Sequence, residues 1–355
     1  VGEIPTKHLI EAPVYRLSAK KPYHLYALQN LEPRDVPIPP KSAAGSILLR
    51  ILSSQSVSSK RSVWTQFDHQ VGTNTVVLPG KGDAALLRIK GSEKGIAITC
   101  DGNGRLCFLN PYDGGAIAVA EACRNLVCVG AEPIAITDCL TFGNPEKREI
   151  AYQLTRCIQG MAHACRMLGV PVVSGNVSLY NETQGKAIYP TPIVGALGLV
   201  HDISRHCDAR FKNEGDIVIM VGSYGNEQFH TLGGSEYLKI QYNMIKGKPI
   251  IDLALEKKVQ KSVLAAIQRG LIKSAHDCSD GGLLVALAES CIAGMIGFKG
   301  NFPVQERWDA LLFGEAQSRI IISVASNNIQ KVKGILEEEG IPFAQLGTVG
   351  GRCLT

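Results

Sequence analysis

The sequence predicts an α+β fold built as two units in series, each with its own strands and helices. In both units, segments with the alternating or continuous apolar character of strands are interleaved with segments whose small and apolar residues recur at helical spacing. The length of 355 residues suits about two to three domains, and 45% hydrophobic residues can form a core in each. A doubly wound sheet is less favoured, because the strands cluster at the front of the first unit and no G-x-G-x-x-G follows a strand.

Residues 1–54 are predicted to be an irregular tail and linker that precede the first folded unit. The stretch PRDVPIPPKSAAGS is rich in proline, which restricts the flexibility of a linker. The segment before it, which includes HLIEAPVYRL, is interpreted as the tail of a preceding folded unit. The chain also begins without Met, so processing or a fragment is expected.

The first unit is predicted to span residues 55–205. A helix is expected over residues 113–129, where small and apolar residues follow a 3.6-residue period, and a longer one over residues 146–168. The predicted strands of this unit lie in VGTNTVVLPG, DAALLRIKG, KGIAITC, PIAITDCL and PVVSGNVSL.

The second unit is predicted to span residues 206–355. Its strands are expected in GDIVIMVGS, SRIIISVA and FAQLGTVGG. Its helices are expected over residues 257–270, 281–293 and 328–340.

Composition and charge exclude several classes of protein. The net charge of +5 is spread along the chain without a dense Lys/Arg block, so nucleic acid is not an expected partner. No apolar run approaches the roughly 20 residues of a membrane span, and the N-terminus has no signal-peptide pattern. The eleven cysteines are odd in number and form no C-x-x-C pair. We therefore expect reduced core thiols in a cytoplasmic protein, with the apolar helical patterns holding Cys123, Cys128, Cys157, Cys165 and Cys291.

Polar residues at the ends of two predicted strands are the candidate site. In ITDCLTFGNPE, Asp138 ends an apolar strand, where a carboxylate can meet a ligand or a metal or can instead cap the next turn. In SGNVSLYNET, Gly175 permits close backbone approach, Asn176 offers an amide oxygen to a hard cation, and Ser178 offers a hydroxyl to an anion. The alternative for this second stretch is a turn followed by an edge strand.

Glycine-rich segments at predicted helix starts form the second set of candidates. They suit phosphate groups, because helix N-termini and close backbone approach favour anions. No His/Cys cluster suits zinc, and His69 and His276 are expected to be structural. The pattern as a whole favours Mg-nucleotide and phosphate binding over covalent catalysis. The segments are CDGNGRLCFLNPYDGGA, LGGSEYL, HDCSDGGLLVALAES and LLFGEAQSRIIISV.

At these motifs the sequence resembles the synthetase subunit of the phosphoribosylformylglycinamidine synthase family, from about residue 55 to its end. The runs that carry the resemblance include FDHQVGTNTVV, GAEPIAITDCLTFGNPEK, PVVSGNVSLYNET and LLFGEAQSR. Members consist of two homologous halves, each a pair of aminoimidazole-ribonucleotide-synthetase-like domains. The first half carries a His-Asn-His-Pro-Ser stretch with the catalytic histidine, whereas this chain has Gly102 and Gly104 in the corresponding region. The resemblance is therefore to the second half only, and no catalytic residue is assigned here.

The resemblance implies roles for four residues and a set of partners. Asp138 and Gly175 would contact ATP, Asn176 would bind Mg²⁺, and Ser178 would contact formylglycinamide ribonucleotide. The implied reaction joins glutamine-derived ammonia to that substrate in purine biosynthesis, with an N-terminal half, a glutaminase subunit and a small accessory subunit as partners. The isolated chain is expected to be inactive and to form a homodimer through its exposed sheet. The alternatives are another enzyme of the superfamily, or a non-catalytic scaffold or structural nucleotide-binding half.

Overall fold

The computed structural model describes residues 2–11, 14, 16–223, 229–303 and 307–355. Two main sheets organise it, one of six strands and one of five, with a small two-stranded hairpin. The predicted α+β class, with two units in series, is confirmed. Among the helices that the structure describes, none is long and apolar enough to cross a membrane.

The first 54 residues contain helices, so the expectation that they are irregular is wrong. The helices that precede the first sheet are α1 (Thr6–Ile10), α2 (His24–Gln29), α3 (Ala44–Leu52) and α4 (Arg61–Trp64). In α3, Ile47, Leu48 and Ile51 are buried in a core cluster that also contains Trp308 and Phe313 of the second unit. The proline-rich segment before α3 also contacts the second unit, since the Trp308 indole N–H donates to the Pro39 carbonyl at 3.0 Å. The apolar residues of α3 recur at helical spacing and form one buried face. This pattern was missed because the segment before it is rich in proline.

The first unit is a six-stranded sheet with helices on one side. The strand order is β1-β2-β3-β8-β4-β5, and only the β4–β5 pair is parallel. The central strand β8 is not among the predicted strands, because its one proline and two glycines weaken the pattern. The elements are β1 (Thr75–Val77), β2 (Ala85–Arg88), β3 (Gly95–Asp101), α5 (Gly104–Leu109), α6 (Pro111–Cys128), β4 (Glu132–Thr141), α7 (Arg148–Leu168), β5 (Val172–Ser178), β6 (Glu182–Thr183), β7 (Lys186–Ala187) and β8 (Thr191–Val200).

Small residues let α6 and α7 pack closely on each other and on the sheet. A Cβ on Gly160 of α7 would lie 1.8 Å from the Tyr112 carbonyl oxygen, and one on Gly115 of α6 would lie 2.4 Å from the Cys157 carbonyl oxygen. Any side chain there would push the helices apart. The helix α7 ends at Gly169, whose φ of 78° is readily adopted by glycine. Both predicted helices of this unit are confirmed within two residues at each end.

The other face of this sheet is exposed. Ile98 is 48% exposed, Ile134 42% and Ile193 36%, although all three are apolar residues on central strands. The edge strand β5 is exposed along most of its length, with Val173 at 66% and Val177 at 56%. An apolar sheet face of this kind is unusual on the surface of a monomer.

The second unit is a five-stranded antiparallel sheet, in the order β10-β12-β9-β13-β11. The interior strand β12 is buried throughout, which explains its continuous apolar run. The predicted boundary between residues 205 and 206 lies in the segment that connects β8 to β9. The elements are β9 (Ile217–Gly222), α8 (Glu236–Tyr242), α9 (Leu253–Gln268), β10 (Ser274–Asp277), α10 (Gly282–Gly294), β11 (Phe298–Gly300), α11 (Trp308–Phe313), β12 (Arg319–Val324), α12 (Ile329–Glu338) and β13 (Phe343–Val349).

No disulfide joins the cysteines that the structure describes, and most of them lie in the cores. Cys123, Cys128, Cys157 and Cys165 are buried as predicted, whereas Cys291 is only half-buried. Burial raises the pKa of Cys207 to about 12 and that of Cys291 to about 11, so both thiols remain protonated at neutral pH.

Candidate functional site

The parallel pair β4–β5 brings the four predicted site residues onto two adjacent strands. Asp138 pairs with Gly175, and Thr141 pairs with Ser178 at the carboxyl ends of the strands. Asn176 is aligned with Cys139. Because successive side chains of a strand point to opposite faces, these pairs alternate between the two faces of the sheet.

Asp138 and Gly175 lie on the face that the helices cover. Ile136 and Leu140, which share this face with Asp138, are buried in the core of the unit. A Cβ added to Gly175 would lie 2.3 Å from Oδ1 of Asp138, so the missing side chain of the glycine leaves the space that the carboxylate occupies. Burial raises the pKa of Asp138 above its ordinary value. The two predicted ATP-binding residues therefore form one local unit.

Asn176 and Ser178 lie on the exposed face, within a patch of small polar side chains. The Ser174 hydroxyl donates to Thr137 Oγ1 at 2.7 Å, and the Asn176 amide Nδ2 donates to Cys139 Sγ at 3.3 Å. This polar patch lies beside the apolar face that Ile98 and Ile193 form, so it is a local polar area on an otherwise apolar sheet. Its members are Thr137, Cys139, Thr141, Ser174, Asn176 and Ser178.

The turn after β5 holds Ser178. The side-chain amide of Asn181 donates to the Ser178 carbonyl at 2.9 Å, to the Ser178 hydroxyl at 3.1 Å and to the Phe142 carbonyl at 2.9 Å. The loop that follows β4 is anchored to the same region, because Lys147 Nζ lies 2.7 Å from a Glu182 carboxylate oxygen. The hydrogen bond from Lys147 lowers the pKa of Glu182. Both strands thus end in loops with fixed positions, which suits the orientation of a ligand.

The polar patch offers neutral oxygen atoms to a cation. Asn176 supplies one amide oxygen, and hydroxyls surround it, but Asp138 points to the opposite face. In the part of the chain that the structure describes, no group of three His, Cys, Asp or Glu side chains is arranged to hold a metal ion. This donor set fits Mg²⁺ that is held mainly by phosphate oxygens and water, with Asn176 as a protein ligand.

The glycine-rich segments meet at the junction of the two units, where they form a second candidate site. The Asn103 side chain caps α5 and donates to Asp280 Oδ1 at 3.1 Å. The Arg105 Nε donates to the Gly234 carbonyl at 3.3 Å. The Glu315 carboxylate accepts from the Gly281 backbone N–H at 2.7 Å. Three of these glycine-rich segments and the one that contains Glu315 are therefore contiguous in space, although Asn103 and Glu315 are 212 positions apart in the sequence.

Carboxylates are crowded at this junction. Burial and the nearby Asp277 raise the pKa of Asp101 to about 7. Burial and the charges of Asp101 and Asp277 raise the pKa of Glu121 well above its ordinary value. The Asn125 amide donates to Asp101 Oδ2 at 2.8 Å. Sequence reasoning missed Glu121 and Asn125, whose spacing of four residues places both on one face of α6 and was the available signal.

The two histidines near the candidate motifs have structural partners. His276 Nδ1 lies 2.6 Å from Asp83 Oδ1, and its Nε2 lies 3.1 Å from Glu289 Oε2. The His69 ring packs edge-on against Trp64, with 5.4 Å between the ring centres. Both side chains therefore have contacts within the protein, and their structural role stays a prediction.

Comparisons with known proteins find family matches over most of the chain. Residues 81–200 match the N-terminal domain of AIR synthase related proteins, and residues 213–354 match the C-terminal domain. The chain is 47% identical over 356 aligned residues to the phosphoribosylformylglycinamidine synthase subunit PurL of Moorella thermoacetica, covering 100% of this chain and 48% of that protein. The chain thus spans about half the length of the curated relatives that it matches.

Solved structures from Thermotoga maritima have the same fold. PurL complexed with AMPPCP has a TM-score of 0.63 at 24% identity and matches 99% of this chain and 48% of its own. A PurLQS structure has a TM-score of 0.62 at 25% identity, over 99% and 47% of the two chains. PurL complexed with FGAR has a TM-score of 0.57 at 26% identity, over 83% and 40%.

Proposed function

Because the chain belongs to the AIR synthase related family and carries both domains of it, we propose that it forms the second half of a phosphoribosylformylglycinamidine synthase synthetase subunit. The reaction is the ATP-dependent conversion of formylglycinamide ribonucleotide and ammonia to formylglycinamidine ribonucleotide. The similarity to a curated subunit of that synthase over the whole chain supports this assignment. The enzyme class is an ATP-dependent carbon–nitrogen ligase of purine biosynthesis, for which a cytoplasmic location is expected.

The observation that carries the proposal is the arrangement of polar groups at the carboxyl ends of β4 and β5. Asp138 and Gly175 contact ATP, Asn176 binds Mg²⁺, and Ser178 contacts the ribonucleotide substrate. The exposure of Asn176 and the fixed position of Ser178 beside Asn181 support these roles. Buried polar side chains have their hydrogen bonds satisfied within the protein. The side chains of Asn176 and Ser178 face the exposed side of the sheet, so they can still form hydrogen bonds to a ligand.

The chemistry requires that ATP and the substrate amide be held together. ATP phosphorylates the amide oxygen to an iminophosphate, and ammonia then displaces the phosphate. Mg²⁺, when bound, neutralises charge on the phosphates. The contribution of this chain is positioning: Asn176 directs an oxygen at the cation, and Ser178 offers a hydroxyl that the Asn181 amide holds in place.

The exposed sheet face is the surface that the N-terminal half covers in this proposal. Apolar side chains such as Ile98 and Ile193 surround the polar patch, so a like domain would bury them while it closes the site. The glutaminase subunit supplies ammonia, and the small accessory subunit completes the assembly. Without its other half the chain is expected to pair with a second copy through this face.

The test uses the full-length synthetase that contains this chain. Asn176→Ala and Asp138→Ala are each expected to reduce ammonia-dependent synthesis roughly 100-fold or more, since each removes a group that positions the reactants. Ser174→Ala is the matched control, because this exposed side chain lies in the same patch and has no assigned role. Wild-type rates in either variant, with unchanged thermal stability, would show that the assignment of these residues is wrong.

A second experiment tests the division of the site between two halves. The purified chain alone is expected to give no measurable turnover with ATP, substrate and ammonia, and addition of the N-terminal half is expected to restore it. Robust turnover by the chain alone would contradict the proposal that the site is shared.

A further inference from the structure

Cys139 is a thiol within the polar patch that the proposed roles do not use. It lies on β4 directly beside Asn176 of β5 in the parallel register. Their side chains share the exposed face of the sheet, and Asn176 Nδ2 donates to Cys139 Sγ at 3.3 Å. Cys139 Sγ in turn lies 3.6 Å from Thr141 Oγ1, two residues along the same strand and on the same face.

These contacts connect Asn176, Cys139 and Thr141 by hydrogen bonds, and in the second one either the thiol or the Thr141 hydroxyl can be the donor. If the thiol proton is donated to Thr141, the sulfur keeps its lone pairs free to accept from the Asn176 amide. The NH₂ end of Asn176 then faces the sulfur, and its oxygen points the other way. Since an Asn side chain rotates between two nearly equivalent orientations, an acceptor on one side is what selects between them.

We propose that Cys139 is a positioning residue that orients the Asn176 side-chain oxygen toward a hard divalent cation. This inference rests on the proposed function, in which Asn176 binds Mg²⁺. A hard cation binds the amide oxygen and is repelled by the NH₂ group, so the wrong orientation of Asn176 removes the ligand without removing the residue. Groups that orient a metal ligand typically contribute about 10- to 100-fold to metal affinity.

The experiment measures the cation dependence of the full-length synthetase. Cys139→Ala is expected to raise the Mg²⁺ concentration for half-maximal ammonia-dependent activity about tenfold or more, with most of kcat restored at saturating Mg²⁺. Cys139→Ser, which keeps a donor and an acceptor, is expected to restore much of the affinity. The matched control is Cys100→Ala, which removes an exposed thiol from β3.

A second readout does not depend on activity. Binding of Mn²⁺ in the presence of AMPPCP, followed by electron paramagnetic resonance, is expected to weaken in Cys139→Ala and to be unchanged in Cys100→Ala. Thr141→Val, which removes the acceptor of the thiol proton, is expected to weaken Mn²⁺ binding to a smaller extent. This variant keeps the test decisive if Cys139→Ala fails to fold.

The outcomes separate this inference from the proposed function. If Asn176→Ala weakens Mn²⁺ binding while Cys139→Ala and Thr141→Val bind it as the wild type does, the role of Cys139 is disproved and the metal assignment stands. If Asn176→Ala itself binds Mn²⁺ normally, the metal assignment fails and the inference fails with it.

Discussion

The polar residues at the exposed end of β4–β5 and those at the buried junction between the two units differ in how many partners they have within the protein. At the sheet end, Asn176 and Ser178 have few partners and face away from the core. At the junction, Arg124 of α6 is completely buried and is surrounded by groups from the second unit. Its Nη1 lies 2.8 Å from a Glu256 carboxylate oxygen, its Nε donates to Asp277, and its Nη2 donates to Gln317 at 3.2 Å.

The difference shows how solvent exposure separates structural from ligand-binding polar groups. A buried charge is tolerated only when partners replace the water that it has lost. The Arg124 guanidinium therefore binds groups of the second unit and connects the two units. Polar groups on the exposed patch bear no such cost, so they can remain available for a ligand until it binds.

The largest expected effect comes from breaking the buried network. Arg124→Met leaves the Glu256 and Asp277 carboxylates buried without their cation, which is expected to lower the free energy of unfolding by about 3–5 kcal/mol. Chemical denaturation of the purified chain measures this change. The control is Arg34→Met, whose ion pair with Glu32 at 2.8 Å is exposed and is expected to contribute less than about 1 kcal/mol. Equal losses in the two variants would contradict the distinction between buried and exposed pairs.

The next effect is on activity at the sheet end. Gly175→Ala would place a methyl group 2.3 Å from the Asp138 carboxylate oxygen and force the carboxylate to move. The rate of ammonia-dependent synthesis by the full-length synthetase is expected to fall on the order of 10- to 100-fold, as for a misplaced reacting group. Gly334→Ala is the control, because nothing lies within 4 Å of an added methyl at that helical position and activity should be retained. Normal activity in Gly175→Ala would mean that the position of Asp138 is not critical.

A pH-dependent effect is expected at His276, which lies at the edge of the junction. Burial alone would lower the pKa of His276, but Asp83 and Glu289 raise it well above its ordinary value. A raised folded-state pKa gives a stabilisation that is fully present below about pH 6.5 and is lost as the pH rises through the folded-state pKa. The stability difference between the wild type and His276→Gln is therefore expected to be about 1–3 kcal/mol near pH 6 and smaller near pH 10.

Thermal unfolding at several pH values, with the purified chain, measures this difference. His201→Gln is the matched control, since the His201 pair with Glu132 at 2.9 Å is about half-exposed on both sides and should contribute little. A stability difference for His276→Gln that grows with rising pH would contradict the proposed ion pairs.

The smallest effects are expected at two hydroxyl pairs, one exposed at the sheet end and one buried within the sheet of the second unit. Ser174→Ala removes an exposed hydrogen bond to Thr137 and is expected to change the free energy of unfolding by about 0.5 kcal/mol or less. Ser274→Ala removes a buried hydrogen bond of 2.5 Å to Ser323 and is expected to cost about 1–3 kcal/mol, because the Ser323 hydroxyl is left unsatisfied. Denaturation of both variants compares the two environments directly, and a larger loss for Ser174→Ala would reverse the comparison.

The sequence alone predicted the elements whose patterns are local. Helix α6 was predicted because its small and apolar residues recur at helical spacing, and β12 was predicted from its apolar run, which reflects burial on both faces. The sequence also singled out Asp138 in one motif and Gly175, Asn176 and Ser178 in another, since polar residues at strand ends stand out from the apolar segments before them. It did not identify α3, because the prolines before this helix suggested a linker, or β8, whose two glycines and one proline weaken a strand pattern.

Only the tertiary structure decided how those residues are grouped. The parallel register of β4 and β5 separates Asp138 and Gly175 from Asn176 and Ser178, and it places Cys139 beside Asn176. The junction depends on contacts between residues far apart in the chain, such as Arg124 with Glu256, which lie on helices of different units. A sequence pattern records the periodicity of one segment, but which segments meet, and on which face, depends on the packing of the whole chain.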